Sequence, residues 1–332
     1  MNKFSKTKRI RSVCSGIMSF AIALVFVWLP EQALSESLTK QVVTQHLAAF
    51  TIATGRPGST HAQVGEIICN VYNRRRSENG ARCRTAYSPG GRQQLTDMLS
   101  DKVQMAIIQS DVVAAAYSGQ KQFNSNDQLR VLLPLHEQTI ATVIRGDAPE
   151  GQFDVTSLTS KRVAMSASIR DGRYTLRRLF VSLGLDFVNV NGLIAMSPAN
   201  QIQALCDDRI DVGFMLFGHP NGAIQQGIHD CKVRFVPYDF PHLRTVVESS
   251  RYLQMGEIPK GTYTGQTDDI TAPAVATLLV TTDRFDLKTG KAFIEVLLEN
   301  QSILRRLHRS LSNIDLNRRP ALARQMKHFG EN

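Results

Sequence analysis

No apolar run in this sequence reaches the length that a bilayer demands. The N-terminal stretch from Gly16 to Leu29 has 14 residues, against the roughly 20 of a spanning helix, and Pro30, Glu31 and Gln32 end it. Aromatic residues are scarce, with one Trp, seven Tyr and 15 Phe, so the stacking platform of a single-strand nucleic-acid binder is missing. Basic residues outnumber acidic ones and give a formal net charge of +10. They are scattered rather than gathered into a stripe, which argues against nucleic acid as a partner. Cysteine is sparse, and neither Cys-x-x-Cys nor paired-His spacing is present, so no metal is expected. Signatures of catalysis are missing as well. There is no Gly-x-Ser-x-Gly elbow, no second histidine that would make His136-Glu137 a zinc-protease motif, no Gly-x-x-x-x-Gly-Lys-Ser/Thr loop and no dinucleotide fingerprint. A binding protein without a cofactor fits these absences better than an enzyme.

What is present starts with Lys3, Lys6, Lys8, Arg9 and Arg11 ahead of the short apolar run, the n-region and h-region of a secretory signal. Ala33-Leu34-Ser35 supplies small residues for cleavage, expected after Ser35. Cys14 precedes the apolar run, so no lipoprotein cysteine is available. Removing residues 1–35 lowers the net charge to +6 and leaves 297 residues, enough for two domains. Export to a periplasm places Cys69, Cys83, Cys206 and Cys231 in an oxidising compartment. Three connectivities are open. Pairing Cys69 with Cys83 and Cys206 with Cys231 closes two short loops and is the expected one, with buried free thiols as the alternative.

Along the chain one unit recurs. Phe50 to Thr54 reads as a strand, Gly55 to Gly58 as a turn, and His61 to Arg75 as a helix. Arg84 to Tyr87, then Ser88-Pro89-Gly90-Gly91, then Arg92 to Leu99 repeat it. Turns of this kind present backbone N–H groups at a helix N-terminus, where an anion is favoured. Val103 to Ile108 reads as a buried strand ending in Gln109-Ser110-Asp111. Asp111 reads first as the cap of the helix Val112 to Tyr117 and second as a ligand contact. Alternation of this sort implies an α/β fold with a parallel sheet and ligands at the carboxyl ends of its strands.

A boundary is expected at Pro134 to Glu137, between a strand Leu129 to Leu133 and a new one from Thr139 to Arg145. Beyond it, Arg162 to Met165, a polar turn Ser166 to Gly172 and a helix Tyr174 to Gly184 form a third unit. Asp211 to Phe217 reads as a buried strand entering Gly218-His219-Pro220-Asn221-Gly222, where His219 is either a ligand contact or a hydrogen-bonding turn residue. Ala274 to Thr281 reads as a returning strand and Gly290 to Arg309 as a helical tail whose apolar positions, Phe293, Val296, Leu297, Ile303, Leu304 and Leu307, pack on the first lobe.

Thr54-Gly55, the four cysteines, Gly90-Gly91, Gln109-Ser110-Asp111 leading into the stretch that ends at Gly119, and Gly218 to Gly222, in this order and spacing, resemble the TAXI family of solute receptors for tripartite ATP-independent periplasmic (TRAP) transporters. The resemblance spans Phe50 to His308. It implies a two-lobed periplasmic-binding-protein fold, type II-like, with a hinge and an interlobe cleft: residues 36–135 and about 260–332 in lobe 1, 136–259 in lobe 2. It also implies a small anionic solute, often glutamate-like, handed to TRAP membrane subunits. Carried over by motif, the ligand-binding positions are Thr54 and Gly55, Gly90, Gly91 and Gln94, Gln109, Ser110 and Asp111, and Arg170, Asp171 and Thr175, with Ser88 beside the second turn.

This chain departs from the family pattern at several of these places. Arg56 stands where a small residue is usual, His61 where a tyrosine is, Gly91 for a serine, Gln94 for an asparagine, and Arg170-Asp171 for a Ser-Gly pair. An arginine offers a bidentate donor, so Arg56, Arg92, Arg170 and Arg173 together suggest a ligand more anionic than a monocarboxylate. The alternative is a receptor-fold protein redirected to sensing or protein interaction without transport.

Overall fold

The computed structural model describes residues 49–75, 80–119, 123, 125–148, 155–166, 176, 179–181, 184, 194–237, 242–317, 322–323 and 326–327. The expected signal segment, Arg170, Asp171, Arg173, Thr175 and most of the helix expected from Tyr174 lie outside these residues.

The first half is built from β1 (Ala49–Thr54), α1 (Thr60–Asn73), β2 (Arg82–Tyr87), α2 (Gly91–Leu99), β3 (Met105–Gln109) and α3 (Ser110–Tyr117). Strand β4 (Leu129–Ile144) leads to the second half, which holds a 3-10 turn at Val155–Ser160, β5 (Val163–Ser166), β6 (Ile194–Met196), α4 (Pro198–Cys206), β7 (Val212–Phe217), α5 (Gly222–Cys231), β8 (Arg234–Phe235), α6 (Leu243–Glu248) and β9 (Leu253–Ile258). The chain returns through β10 (Ile270–Thr282) and ends on α7 (Leu287–Glu299) and α8 (Gln301–Leu307). The α/β class expected from the alternating pattern is the one observed.

One sheet carries both halves, in the order β2-β1-β3-β10-β4-β7-β5-β6, with β8 beside β4 and β9 beside β10. Pairs among β1, β2 and β3, and among β5, β6 and β7, are parallel. Strands β4 and β10 run antiparallel to each other and change partners along their length. Residues 129–139 of β4 pair with β10, whereas 139–144 pair with β7. β10 pairs with β9 over 270–275 and with β3 over 277–281.

The break between two strands expected at Pro134 to Glu137, as distinct from the lobe boundary expected there, is corrected by this arrangement, because a single strand passes through it. Proline removes a ladder donor and is tolerated at edges and bulges. At Pro134 the strand has β10 alone as its neighbour, and the register shifts between the pairs Thr277/His136 and Leu278/Pro134. Two other expectations are corrected. Helix α3 starts at Ser110 with Gln109 as its cap residue, so Asp111 sits in the first turn and is not the cap. The helical tail is broken at Asn300, whose side chain donates to Val296 O at 2.7 Å and leaves two helices in place of one.

Each face of each half has its own apolar cluster. Phe50, Tyr72 and Phe293 meet in one of them, with ring centroids 5.0 to 5.4 Å apart, which docks the tail on the first half as the sequence suggested. Helix α1 approaches β1 closely at Gly65, where a Cβ would fall 2.4 Å from Thr54 Cγ2. The pairs Cys69–Cys83 and Cys206–Cys231 are both disulfides. The first ties α1 to β2 and the second ties α4 to α5, so each joins two elements of one half.

Candidate functional site

A cavity of about 650 Å³ opens at the carboxyl ends of the parallel strands and is lined from both halves. Four helices start on its wall. Ser59 caps α1 by accepting from Ala62 N at 3.2 Å, Ser197 caps α4 from Asn200 N at 3.2 Å, and Asn221 caps α5 from Ala223 N at 3.0 Å. Helix α2 begins at Gly91 after Gly90 without a side-chain cap. Their dipoles converge on one volume and favour negative charge there. Gly55 makes room for the first of these caps, since a Cβ on it would lie 2.6 Å from Ser59 Oγ.

Eight residues singled out from sequence line this cavity: Gly55, Arg56, His61, Ser88, Gly90, Gly91, Gln94 and Gln109. Ser88 and Gln94 are each 2% exposed. Among the described residues, Ser88 Oγ has no hydrogen-bond partner and no bond to the Gln94 amide is formed. Buried polar groups are ordinarily paired, so Ser88 Oγ stands ready for a ligand, with the Gln94 amide beside it on the same wall. Thr54, Ser110 and Asp111 are buried behind the wall. Thr54 Oγ1 donates to Ala86 O at 3.3 Å. Ser110 Oγ donates to Tyr252 O at 2.9 Å and accepts from Ala276 N at 3.2 Å, tying the start of α3 to the returning strand. Arg92 does not line the cavity, and its guanidinium lies 5.5 Å from the centroid of the Phe123 ring.

His219 lines a second cavity, about 660 Å³, shared with His136, Glu137, Thr139 and the segments 254–257, 259–262, 309–310 and 312–315. Its ring is engaged on both sides, with Nε2 2.6 Å from Thr139 Oγ1 and Nδ1 2.6 Å from Tyr263 Oη. Tyr263 Oη in turn accepts from Asn221 N at 2.9 Å. This network locks the turn before α5. Burial lowers His219 to about 3 and raises the Tyr263 phenol, so both are neutral at pH 7.

Several lining residues carried no sequence signal. Gln138 comes from β4, where it reads as one polar position in a strand. Its amide meets His61 Nε2 at 2.5 Å and accepts from Gln109 Nε2. His308, from the tail, reaches the same wall. Its Nδ1 accepts from Ser310 N at 3.1 Å, which leaves Nε2–H to donate to Gln63 Oε1 at 2.8 Å. Burial lowers His61 to about 4 and lowers His308. His136, packed against His61 at 5.4 Å between ring centroids, is held well below its ordinary value by burial first and then by His61 and His308. Ser197-Pro198 was readable, since a serine followed by proline at the first helical position is a helix-start pattern.

The arrangement can hold an anion through helix ends, amides and Arg56. Among the described residues, the lining has no carboxylate, and no group of His, Cys, Asp and Glu is placed to hold a metal. No described helix is long and apolar enough to cross a membrane.

Among solved structures, the chain is similar to the periplasmic aliphatic sulphonate binding protein SsuA from Escherichia coli, at 11% identity over 81% of this chain and 80% of that one, with a TM-score of 0.46. It is also similar to a ligand-binding component of an ABC-type import system from Staphylococcus aureus, at 12% identity over 85% of each chain and a TM-score of 0.48. A third is the GluR0 ligand-binding core in complex with L-glutamate, at 12% identity over 79% of this chain and 98% of that one, with a TM-score of 0.48. At this distance, what those proteins bind is theirs alone. Sequence similarity reaches further, because the NMT1-like family matches residues 52–327, from within β1 through the tail helices. The chain belongs to the NMT1-like family.

Proposed function

We propose that this protein is an extracytoplasmic solute-binding receptor that captures a small anionic solute in the cavity between its two halves. The observation that carries the reading is the buried, unpartnered Ser88 Oγ, beside a Gln94 amide that no described residue bonds, set where four helix N-termini converge. A polar group left unpaired in the interior costs about 1–3 kcal/mol, and a ligand oxygen at this wall removes that cost.

The finer assignments belong to the same proposal. The motif resemblance to TAXI receptors supports delivery to TRAP membrane subunits, and the basic, apolar, small-residue order at the N-terminus supports export to the periplasm with cleavage near Ser35. The partner change of β4 at Thr139 and of β10 near Ala276 supports lobes of residues 36–135 with about 260–332, and 136–259, hinged on those strands. Arg170, Asp171 and Thr175 are assigned to the ligand by the motif resemblance alone. The role is binding without catalysis.

A thermal-shift screen of amino acids, dicarboxylates, sugar acids, sulfonates and phosphorylated metabolites tests it. A ligand at about 100 times its Kd adds roughly 2.7 kcal/mol of stability. An upward shift confined to one anionic class, lost in Gln94→Leu, supports the receptor reading. The absence of a shift across the library overturns it.

A further inference from the structure

Gln109, Gln138 and His61 come from three separate elements, the end of β3, the middle of β4 and the first turn of α1, and touch in series. Gln109 Nε2 meets Gln138 Oε1, Gln138 Nε2 lies 2.5 Å from His61 Nε2, and Thr277 Oγ1 is 3.4 Å from the same ring nitrogen. Gln138 is 6% exposed, and all three residues line the cavity. Within the described residues neither Gln109 Oε1 nor His61 Nδ1 has a hydrogen bond, and both residues line the cavity, so the chain has an open end at Gln109 on the cavity.

Such a chain can run in two directions. With the proton of the neutral imidazole on Nδ1, His61 Nε2 accepts from Gln138, Gln138 Oε1 accepts from Gln109, and Gln109 presents its carbonyl oxygen to the cavity. With the proton on Nε2, His61 donates to Gln138 Oε1, Gln138 Nε2 donates to Gln109 Oε1, and Gln109 presents its NH₂ group. An amide turned over and an imidazole with its proton on the other nitrogen exchange donor for acceptor in place. The number of protons is the same in both states. Burial lowers His61 to about 4, which keeps the ring neutral at pH 7 and leaves both states open to it.

Resting on the receptor reading above, we propose that Gln138 is a specificity-determining positioning residue. Through Gln109 it couples the polarity of the bound ligand to the tautomer of His61, so that an oxyanion seated at Gln109 sets the chain in its donating direction. The ligand end recognised there is a carboxylate, sulfonate or phosphate oxygen that accepts from an uncharged amide. Arg56, exposed at the rim of the same cavity, supplies charge at the other end.

The test is nitrogen NMR on the exported chain labelled with ¹⁵N-histidine, in which the two ring-nitrogen shifts report the tautomer and His61→Gln assigns the signal. Spectra are taken without ligand and with glutarate, ethanesulfonate or inorganic phosphate, whichever raises Tm. The expected result is conversion of His61 to the Nε2–H form on saturation. In Gln138→Leu, the anion is expected to bind roughly tenfold more weakly, the loss of one hydrogen bond in a series that ends on a charge, and His61 stays in one form throughout. Gln109→Leu, at the more exposed end, cuts the chain if the first variant does not fold. An unchanged His61 tautomer on saturation, or conversion that persists in both variants, overturns the proposal. Should none of the three anions raise Tm, the receptor reading is decided by the wider screen above and not by this experiment. The coupling is then judged without ligand, where a different tautomer ratio in the variants supports it and an identical ratio overturns it.

Discussion

Lowering the pH from 7 to 4.5 is expected to cost the fold about 2.5 kcal/mol through His219 alone. The folded-state value is about 3, against about 6.5 for the unfolded chain. Between those values the unfolded chain binds a proton at this position and the folded one does not. The contribution is therefore complete above pH 6.5 and falls by about 1.4 kcal/mol per unit as the pH drops towards 3. His61, lowered to about 4, works in the same direction and adds a similar amount down to pH 4.5. Asp208, Asp211, Asp230 and Asp286 are each shifted downward by hydrogen bonds. Their contributions are lost only below the ordinary carboxylate range, so the window from 6.5 to 4.5 reports on histidine. Urea unfolding of the wild type and of His219→Gln at both pH values measures the effect. Glutamine can still donate and accept between Thr139 and Tyr263 but cannot be protonated. The wild type is expected to lose about 2.5 kcal/mol more than the variant across the window. Equal losses, to within about 0.5 kcal/mol, would refute the assignment of a buried neutral His219 regardless of what the variant does at pH 7.

Gln94→Leu is expected to leave Tm unchanged or raise it, because no described residue bonds the amide it removes, while ligand binding by calorimetry weakens at least tenfold. A matched loss of both would make Gln94 a structural residue. Reduction with dithiothreitol is expected to cost roughly 3 kcal/mol for Cys69–Cys83 and slightly more for the longer Cys206–Cys231 loop, read as a fall in the urea midpoint. A midpoint that does not move would show that neither bridge restrains the unfolded chain. Phe293→Ala, which removes a fully buried ring from the Phe50 and Tyr72 cluster, is expected to cost about 3–5 kcal/mol by the same measurement, without changing ligand affinity once folded.

The units made of a strand, a glycine-marked turn and a helix were legible because their signals are local: β-rich runs, turn residues and helical spacing fall within 25 residues of one another. The wall contributed by Gly55, Ser88, Gly90 and Gln94 followed from them. Gln138 and His308 were not legible. Each reaches the cavity only because a distant strand pairing or tail docking carries it there, and a single polar residue in a strand has no period of its own. Pro134 misled for a related reason. It reads locally as a break, and only the pairing of β4 with β10 shows that the strand is one-sided at that point. Asp111 was read as a cap because an aspartate before an apolar run usually is one, yet the helix starts two residues earlier than expected, at Ser110.

The passage of β4 and β10 between the halves has a mechanical consequence. Where Glu137 of β4 pairs with Ala276 of β10, neither strand has another strand beside it among the described residues, and the sheet there is a ribbon two chains wide and one chain thick. Such a ribbon resists sliding in its own plane, where ladder bonds would have to break, and yields across its thickness, where small φ/ψ changes spread over several residues suffice. The soft direction is therefore a flexing of the ribbon that leaves the pairing from Thr139 with Ala274 to Leu129 with Thr282 intact. An opening and closing of the cavity built on it needs no glycine swivel and no melted segment.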